Sequence, residues 1–176
     1  MIIRVTLMSI LTFLGACSAG INGDNYLDMQ PTFKLEDYFN GPIKVWGIVQ
    51  DRSGNVVNRF DADMVGRWEG DEGVLDEVFT YYDSGKIQRR KWEITKIDEL
   101  HYQGKAGDII GIAAGTAHGN AIYWTYEMDV PVRDTSYRLK FDDWMWAMND
   151  GVVVNRSYMK KFGIRVAELT IFMQKQ

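Results

Sequence analysis

The feature that most constrains this chain is a period-two alternation that returns several times between turn signals. Val56, Asn58, Phe60, Ala62, Met64, Gly66 and Trp68 fall on one face, and Val57, Arg59, Asp61, Asp63, Val65, Arg67 and Glu69 on the other. Ile122, Trp124, Tyr126, Met128 and Val130 repeat the period, as do Arg165, Ala167, Leu169, Ile171 and Met173. Successive side chains of a strand point to opposite faces, so this pattern predicts half-buried strands. The segments between them read as turns: "DRSGN" at 51, "EGDEG" at 69, "YDSGK" at 82, "VRDTS" at 132, "MNDGV" at 148 and "KKFG" at 160. Asp-Gly, Asn-Gly and Ser-Gly supply the positive φ angles of tight hairpins. Prolines stand only at 31, 42 and 131, so most of the backbone is free to pair. A long meander leaves two edges, and closure into a barrel removes them. The expected fold is therefore all-β: an antiparallel up-and-down meander of about eight to ten strands closed into a barrel. One short N-terminal helix is expected near "KLEDYF" at 34–39. A β-sandwich or an open, strongly curved sheet is the alternative.

That plan is lipocalin/calycin-like. Gly66-Arg67-Trp68 echoes the lipocalin Gly-x-Trp signature, although it stands on the second predicted strand and lipocalins carry it on the first. One stretch departs from the alternation. In "GKAGDIIGIAAGTAHGN", Gly107, Gly111, Gly115 and Gly119 are four apart and would share a strand face with Ile109, Ala113 and Ala117. So bare a face admits a close neighbour. Either Trp or Tyr rings lie over the glycines, or the strand bends and turns within 114–119, or Gly107, Gly111 and Gly115 form a cavity wall.

The front of the chain reads as an address. "MIIRVTLMSILTFLGAC" has one early cation, Arg4, then an apolar run to Leu14 and small residues before Cys17. The run is shorter than the roughly 20 residues of a spanning helix and has the form of a secretory signal. Cys17 is the only cysteine, so no disulfide is possible within the chain. "LGAC" resembles the bacterial lipobox, in which the cysteine is acylated and becomes the first mature residue. The expected organisation is a signal peptide at 1–16, a lipidated tether at 17–31 and one β-barrel domain at 32–176. Several acyl chains on Cys17 would hold the protein on a membrane without a spanning helix. Ser18 rather than Asp after the cysteine resembles the enterobacterial sorting pattern for the outer membrane, facing the periplasm. Arg4 is the one charged residue of the leader, so its removal takes the formal net charge from −4 to −5. With no basic stripe, such a chain is a poor nucleic-acid binder. A monomer is expected.

"FDDWMWAMNDGVVVNR", at 141–156, places Asp142 and Asp143 against Trp144 and Trp146. On a strand the two aspartates face opposite ways, so they cannot form a dyad. One must face inward, and a buried carboxylate needs neutralisation or a partner. Asp143 is expected inward with Phe141, Met145 and Ala147, and Asp142 nearer solvent. Arg156 beside Asn155 follows the adjoining hairpin, Arg90 alternates with Trp92, and Glu77 alternates with Phe79 and Tyr81. The expected inward cluster is Glu77, Tyr81, Arg90, Trp92, Asp143, Asn155 and Arg156, with Arg156 or Arg90 as the partner of Asp143. It is read either as a structural ion network or as a ligand head-group site.

"YFNG" at 38, "QDRSGNVVNRF" at 50, "LDEVFTYYDSGK" at 75, "RKW" at 90, "GNAIYWTYEMDVPV" at 119, "DDWMWAMNDG" at 142 and "NRSYMKKFG" at 155 together resemble domain-of-unknown-function family thirty-eight thirty-three, a bacterial lipoprotein family. The resemblance implies a lipoprotein with a calycin-like β-fold, and it tilts the expected ligand toward fatty acid or phospholipid. It implies no reaction. No catalytic motif, metal-ligand cluster or cofactor motif stands in the chain, and His101 and His118 fall at predicted strand ends or turns. Three readings follow: a lipoprotein binding an apolar ligand with an anionic or polar head group, a structural or assembly lipoprotein of the envelope, and a lipid-modifying enzyme. Thioether acylation needs sulfur, so Cys17→Ser is expected to release the protein from membranes or leave its precursor uncut. Fractionation and mass measurement check this, and a processed, membrane-bound variant at wild-type level would refute the anchor.

Overall fold

A computed structural model describes residues 20–132 and 134–176. The leader and Cys17 lie outside the described residues. A single 3-10 turn, Gly23–Tyr26, and a short helix α1, Leu35–Tyr38, precede ten strands. These are β1 Gly41–Asp51, β2 Val56–Glu69, β3 Glu72–Tyr81, β4 Ile87–Lys96, β5 His101–Ala106, β6 Ile109–His118, β7 Ala121–Val132, β8 Thr135–Ala147, β9 Val152–Lys161 and β10 Ile164–Lys175. Each pairs antiparallel with the next, and β1 pairs with β10, from Ile43 opposite Lys175 to Asp51 opposite Ala167. The sheet is thus a closed up-and-down barrel, and the sandwich and open-sheet alternatives fall away.

The alternation read from the sequence is the barrel's inside and outside. Phe60, Ala62, Met64 and Gly66 of β2 are buried while Arg59, Asp63, Val65 and Arg67 are exposed. Ile122 and Trp124 of β7, and Ile171 and Met173 of β10, point inward likewise. Two hairpins lie where no turn was predicted, at 97–100 and 107–108, and a third, at 119–120, falls at the end of the 114–119 window. The last two carry Gly-Asp and Gly-Asn, which are turn dipeptides in their own right. The long small-residue strand expected over 107–119 is therefore two turns and one strand. Gly111, at φ +74°, breaks its period, and the β6–β7 register shifts between Ile110 and Ala114.

The segment before β1 closes one end of the barrel. Phe33, Leu35 and Phe39 are buried against the lower core. Trp68 Nε1 donates to the Phe39 carbonyl at 3.1 Å, and Tyr102 Oη and Lys96 Nζ both reach Glu36 at 2.9 Å. Phe33 N–H donates to the Gly119 carbonyl at 2.9 Å, and Lys175 Nζ reaches the Asp37 carbonyl. α1 is thus tied to β2, β4, β5, β10 and the β6–β7 turn. Of the 17–31 stretch expected as a lipidated tether, the described part, from residue 20, carries the 3-10 turn and packs on the barrel wall. Asn22 caps the 3-10 turn, and Tyr26 packs on Trp144 and Trp146 with ring centroids 5.9 and 6.0 Å apart. The rings of Trp144 and Trp146 face outward and need a cover, which is why the folded unit starts earlier than the predicted residue 32.

Gly66 shows how close the plug sits. A Cβ built there would lie 1.7 Å from the Phe39 carbonyl oxygen, which is backbone and cannot step aside. Gly66→Ala is expected to lose about 1–3 kcal/mol through overpacking. Gly107→Ala, where a Cβ meets nothing within 4 Å, is expected to stay within about 0.5 kcal/mol of wild type. Denaturant melts of the two variants check the contrast.

Candidate functional site

The interior of the barrel holds a cavity of about 90 Å³. Its floor is apolar: Leu35 and Phe39 of the plug, with Met64, Leu75, Ile94, Ile171 and Met173. Trp92, Trp124, Tyr126 and Met145 form its walls, and Glu77, Arg90, Asp143 and Asn155 are its polar lining. Each polar group is there because its strand phase turns it inward. Glu77 and Arg90 stand directly opposite on β3 and β4, and Asp143 of β8 stands opposite Trp124 of β7 and Ser157 of β9.

Arg90 and Glu77 are a buried ion pair. Arg90 Nε donates to Glu77 Oε2 at 2.5 Å, and the Glu77 side chain is only 4% exposed. The guanidinium lies between the rings of Phe79 and Trp92, 5.2 and 5.5 Å from their centroids, where the ring quadrupoles favour a cation. Asp108, in the β5–β6 turn, approaches Arg90 Nη1 at 3.6 Å. Burial alone would loosen the Arg90 proton, but Glu77, Tyr126 and Asp108 together outweigh it and the side chain is held more firmly charged. Burial pushes the Glu77 carboxyl up against the pull of Arg90.

Among the described residues no cation contacts Asp143. Tyr126 Oη donates to its Oδ2 at 3.0 Å, and Asn155 Nδ2 donates to its Oδ1 while also reaching the Trp144 carbonyl at 2.8 Å. Burial raises the Asp143 carboxyl above the usual range, and these two hydrogen bonds with the field of Arg90 offset only part of it. Burial and then the Asp143 charge raise the Tyr126 phenol well above its ordinary value, so it serves as a donor. Three carboxyl groups therefore lie within electrostatic reach of one guanidinium.

The placement answers the question posed by the two aspartates. Asp143 faces the interior, whereas Asp142 faces outward, bonded by Tyr123 Oη at 2.8 Å and by Lys160. Burial would raise Asp142, but Lys160 and Tyr123 outweigh it and hold the carboxyl low. Arg156 does not belong to the cluster. It is exposed on the outer face opposite Trp144, because Asn155 points inward and its neighbour cannot. Asn155 takes the place at Asp143 that was expected of Arg156. Tyr81 is half-buried beside Phe60 and donates to Gln88 at 3.4 Å without lining the cavity. None of the three glycines is a cavity wall. Gly107 and Gly111 are exposed, and the Trp124 ring lies over Gly115, 2.9 Å from where a Cβ would stand. His101 is exposed and bonded to Asp98, while His118 packs against Gly23 and Trp144. Sequence reasoning missed Asp108, Tyr126 and Phe79. Tyr126 was legible: it lies on the alternating face with Trp124, and a phenol on an inward face is a candidate donor.

A closed barrel of ten antiparallel strands with a plugged end and a polar cluster inside is a calycin-like fold. The chain belongs to the family described as protein of unknown function DUF3833, whose profile matches residues 11–175. Among solved structures it is similar to the S-type phycobiliprotein lyase CPES from Guillardia theta, with a TM-score of 0.56 at 8% identity. The match covers 81% of this chain and 91% of that one, and it concerns the fold. No curated protein matches the sequence.

The raised Asp143 carboxyl generates a pH prediction. The folded state holds this proton more tightly than the unfolded chain does. The stability it contributes is therefore full below the ordinary aspartate range and is lost as pH rises through the folded value. Asparagine at 143 can still accept from Asn155 and donate to the Tyr126 oxygen without carrying charge. The stability of Asp143→Asn relative to wild type is expected to grow as pH rises from about 4 toward neutrality. Chemical denaturation across that range checks it, and a difference independent of pH would refute it. Arg90→Met strands the Glu77 carboxylate and is expected to lose about 3–5 kcal/mol.

Proposed function

We propose that the protein is a lipid-anchored component of the bacterial envelope that holds a small apolar ligand, or the end of a longer lipid, in the barrel interior. The observation that carries this is one cavity with an apolar floor on the α1 plug and a convergent polar lining of Glu77, Arg90, Asp143 and Asn155. Small-molecule sites pair mostly apolar walls with a few placed polar groups. Size limits the ligand: about 90 Å³ is well below the roughly 300–1,000 Å³ of drug-sized pockets, so a whole fatty acid or phospholipid does not fit. Charge limits its head group. Arg90 is already engaged by Glu77 and approached by Asp108, and carboxyl groups outnumber cations. An anionic head would have to displace Glu77, whereas a neutral hydroxyl or amide can donate to Asp143. Of the two head-group classes expected, the geometry favours the uncharged polar one. Anchoring through Cys17, with Ser18 directing the protein to the outer membrane, is supported by "LGAC" and the apolar leader. The small cavity also favours a structural lipoprotein without a ligand as the second reading.

Native mass spectrometry of the mature protein purified from membranes separates the two. A bound mass is expected on wild type. It should be lost from Met145→Trp, which fills the cavity, and weakened in Asp143→Leu. A wild-type mass equal to the acylated polypeptide alone would overturn the ligand reading.

A further inference from the structure

The hairpin turns of an up-and-down barrel gather at its two ends. The turns at 69–72, 96–101, 118–121 and 147–152 lie with the α1 plug, and those at 51–56, 81–87, 106–109 and 161–164 ring the opposite end. The β9–β10 turn at this rim is unusual. Its two central residues, Phe162 and Gly163, have φ of 50° and 78°, the positive pair of a tight hairpin. The β8–β9 turn fills the same two places with Asp150 and Gly151 at φ 58° and 71°, which is the expected chemistry. Phe162 is a poor residue for positive φ, and it is 94% exposed, so the fold gains nothing by packing it. It is not isolated. Val57, Tyr82, Ile87, Val132 and Ile164 are exposed around the same rim.

Charge separates the two ends. Beside Phe162 the outer face carries Lys140 and Lys161, with Lys161 Nζ 4.1 Å over the Tyr137 ring, and next to them Arg138, Lys160 and Arg165, which are paired with Asp129, Asp142 and Glu168. The plug end also exposes apolar side chains such as Leu100 and Met148, but its turns carry Glu69, Asp71, Glu72, Asp98, Glu99 and Asp150. An anionic surface would repel that end. The path of the chain points the same way. Gly20 and Ile21 line an outer groove that runs from Gly23 and His118 to Gly163 and Arg165, so the described N-terminus lies in the groove that reaches the Phe162 hairpin.

We propose that the rim opposite the plug is a membrane-docking surface for an anionic bilayer. Phe162 and Ile164 enter the interface, and Lys140 and Lys161 beside them meet lipid phosphates. Exposed aromatic and aliphatic side chains set among cations suit the boundary between head groups and acyl chains. Docking in this way turns the end opposite the plug toward the bilayer. The docking rests on the Cys17 anchor proposed above, but not on a ligand.

The test uses the mature acylated protein in vesicles of phosphatidylethanolamine and phosphatidylglycerol that contain a spin-labelled quencher lipid. With Cys17 acylated, an engineered cysteine is the only free thiol. Ser53→Cys, at the rim, and Asp71→Cys, at the plug end, each carry a polarity-sensitive fluorophore. Several-fold stronger quenching and a blue shift are expected at position 53 alone, and Phe162→Asp should bring position 53 down to the level of position 71. Equal quenching at both positions on vesicle-bound protein, or a position-53 signal unchanged by Phe162→Asp, would overturn the docking and leave the anchor standing. Absence of the protein from the vesicle fraction would overturn both.

Discussion

The pairing of β1 with β10 is the constraint from which the interior follows. Until those strands meet, the inward faces of ten strands are one side of a ribbon, and Glu77 and Asp143 lie on separate parts of it. Closure places them in one small lumen with Arg90, Tyr126 and Asn155. It also satisfies the backbone groups of both edges at once, which leaves no strand free to recruit a second chain. The plug depends on the same closure, because α1 reaches β2, β4, β5 and β10 only when these surround a common end.

Within that lumen the polar groups are arranged by how much water they have lost. In the Arg90–Glu77 pair each partner answers the other and two aromatic faces flank the cation, which is held firmly charged, while burial still pushes the Glu77 carboxyl up. Asp143 has only neutral donors, so its charge is the weakly supported one and its proton is the adjustable quantity of the site. On the outer wall Asp142, one residue away, is bonded by Lys160 and Tyr123, which hold its carboxyl below the usual range. Two adjacent aspartates thus take opposite character from the alternation of a single strand.

Much of this was legible because strands write their two faces into the sequence. The in/out phase of β2, β7 and β10, the inward turn of Asp143, Glu77 and Arg90, and the helix before β1 all follow from period and turn chemistry. What was not legible depends on registers between strands. The sequence alone could not show whether Asn155 or Arg156 continues the inward phase beyond the "NDG" hairpin, and the choice reversed the expected partner of Asp143. The glycine spacing at 107–115 misled because one left-handed residue, Gly111, resets the phase, and a regular spacing then ceases to mean a shared face. The cover over Trp144 and Trp146 comes from Tyr26, far away in sequence, and no local pattern announces it.

The plug has a topological consequence. Because residues 33–39 stopper one end and are fastened to the wall on several sides, that end of the barrel is shut by the chain itself. The interior can be reached from the plug side only by undoing ties to several strands at once, so exchange there would need a local opening of the fold.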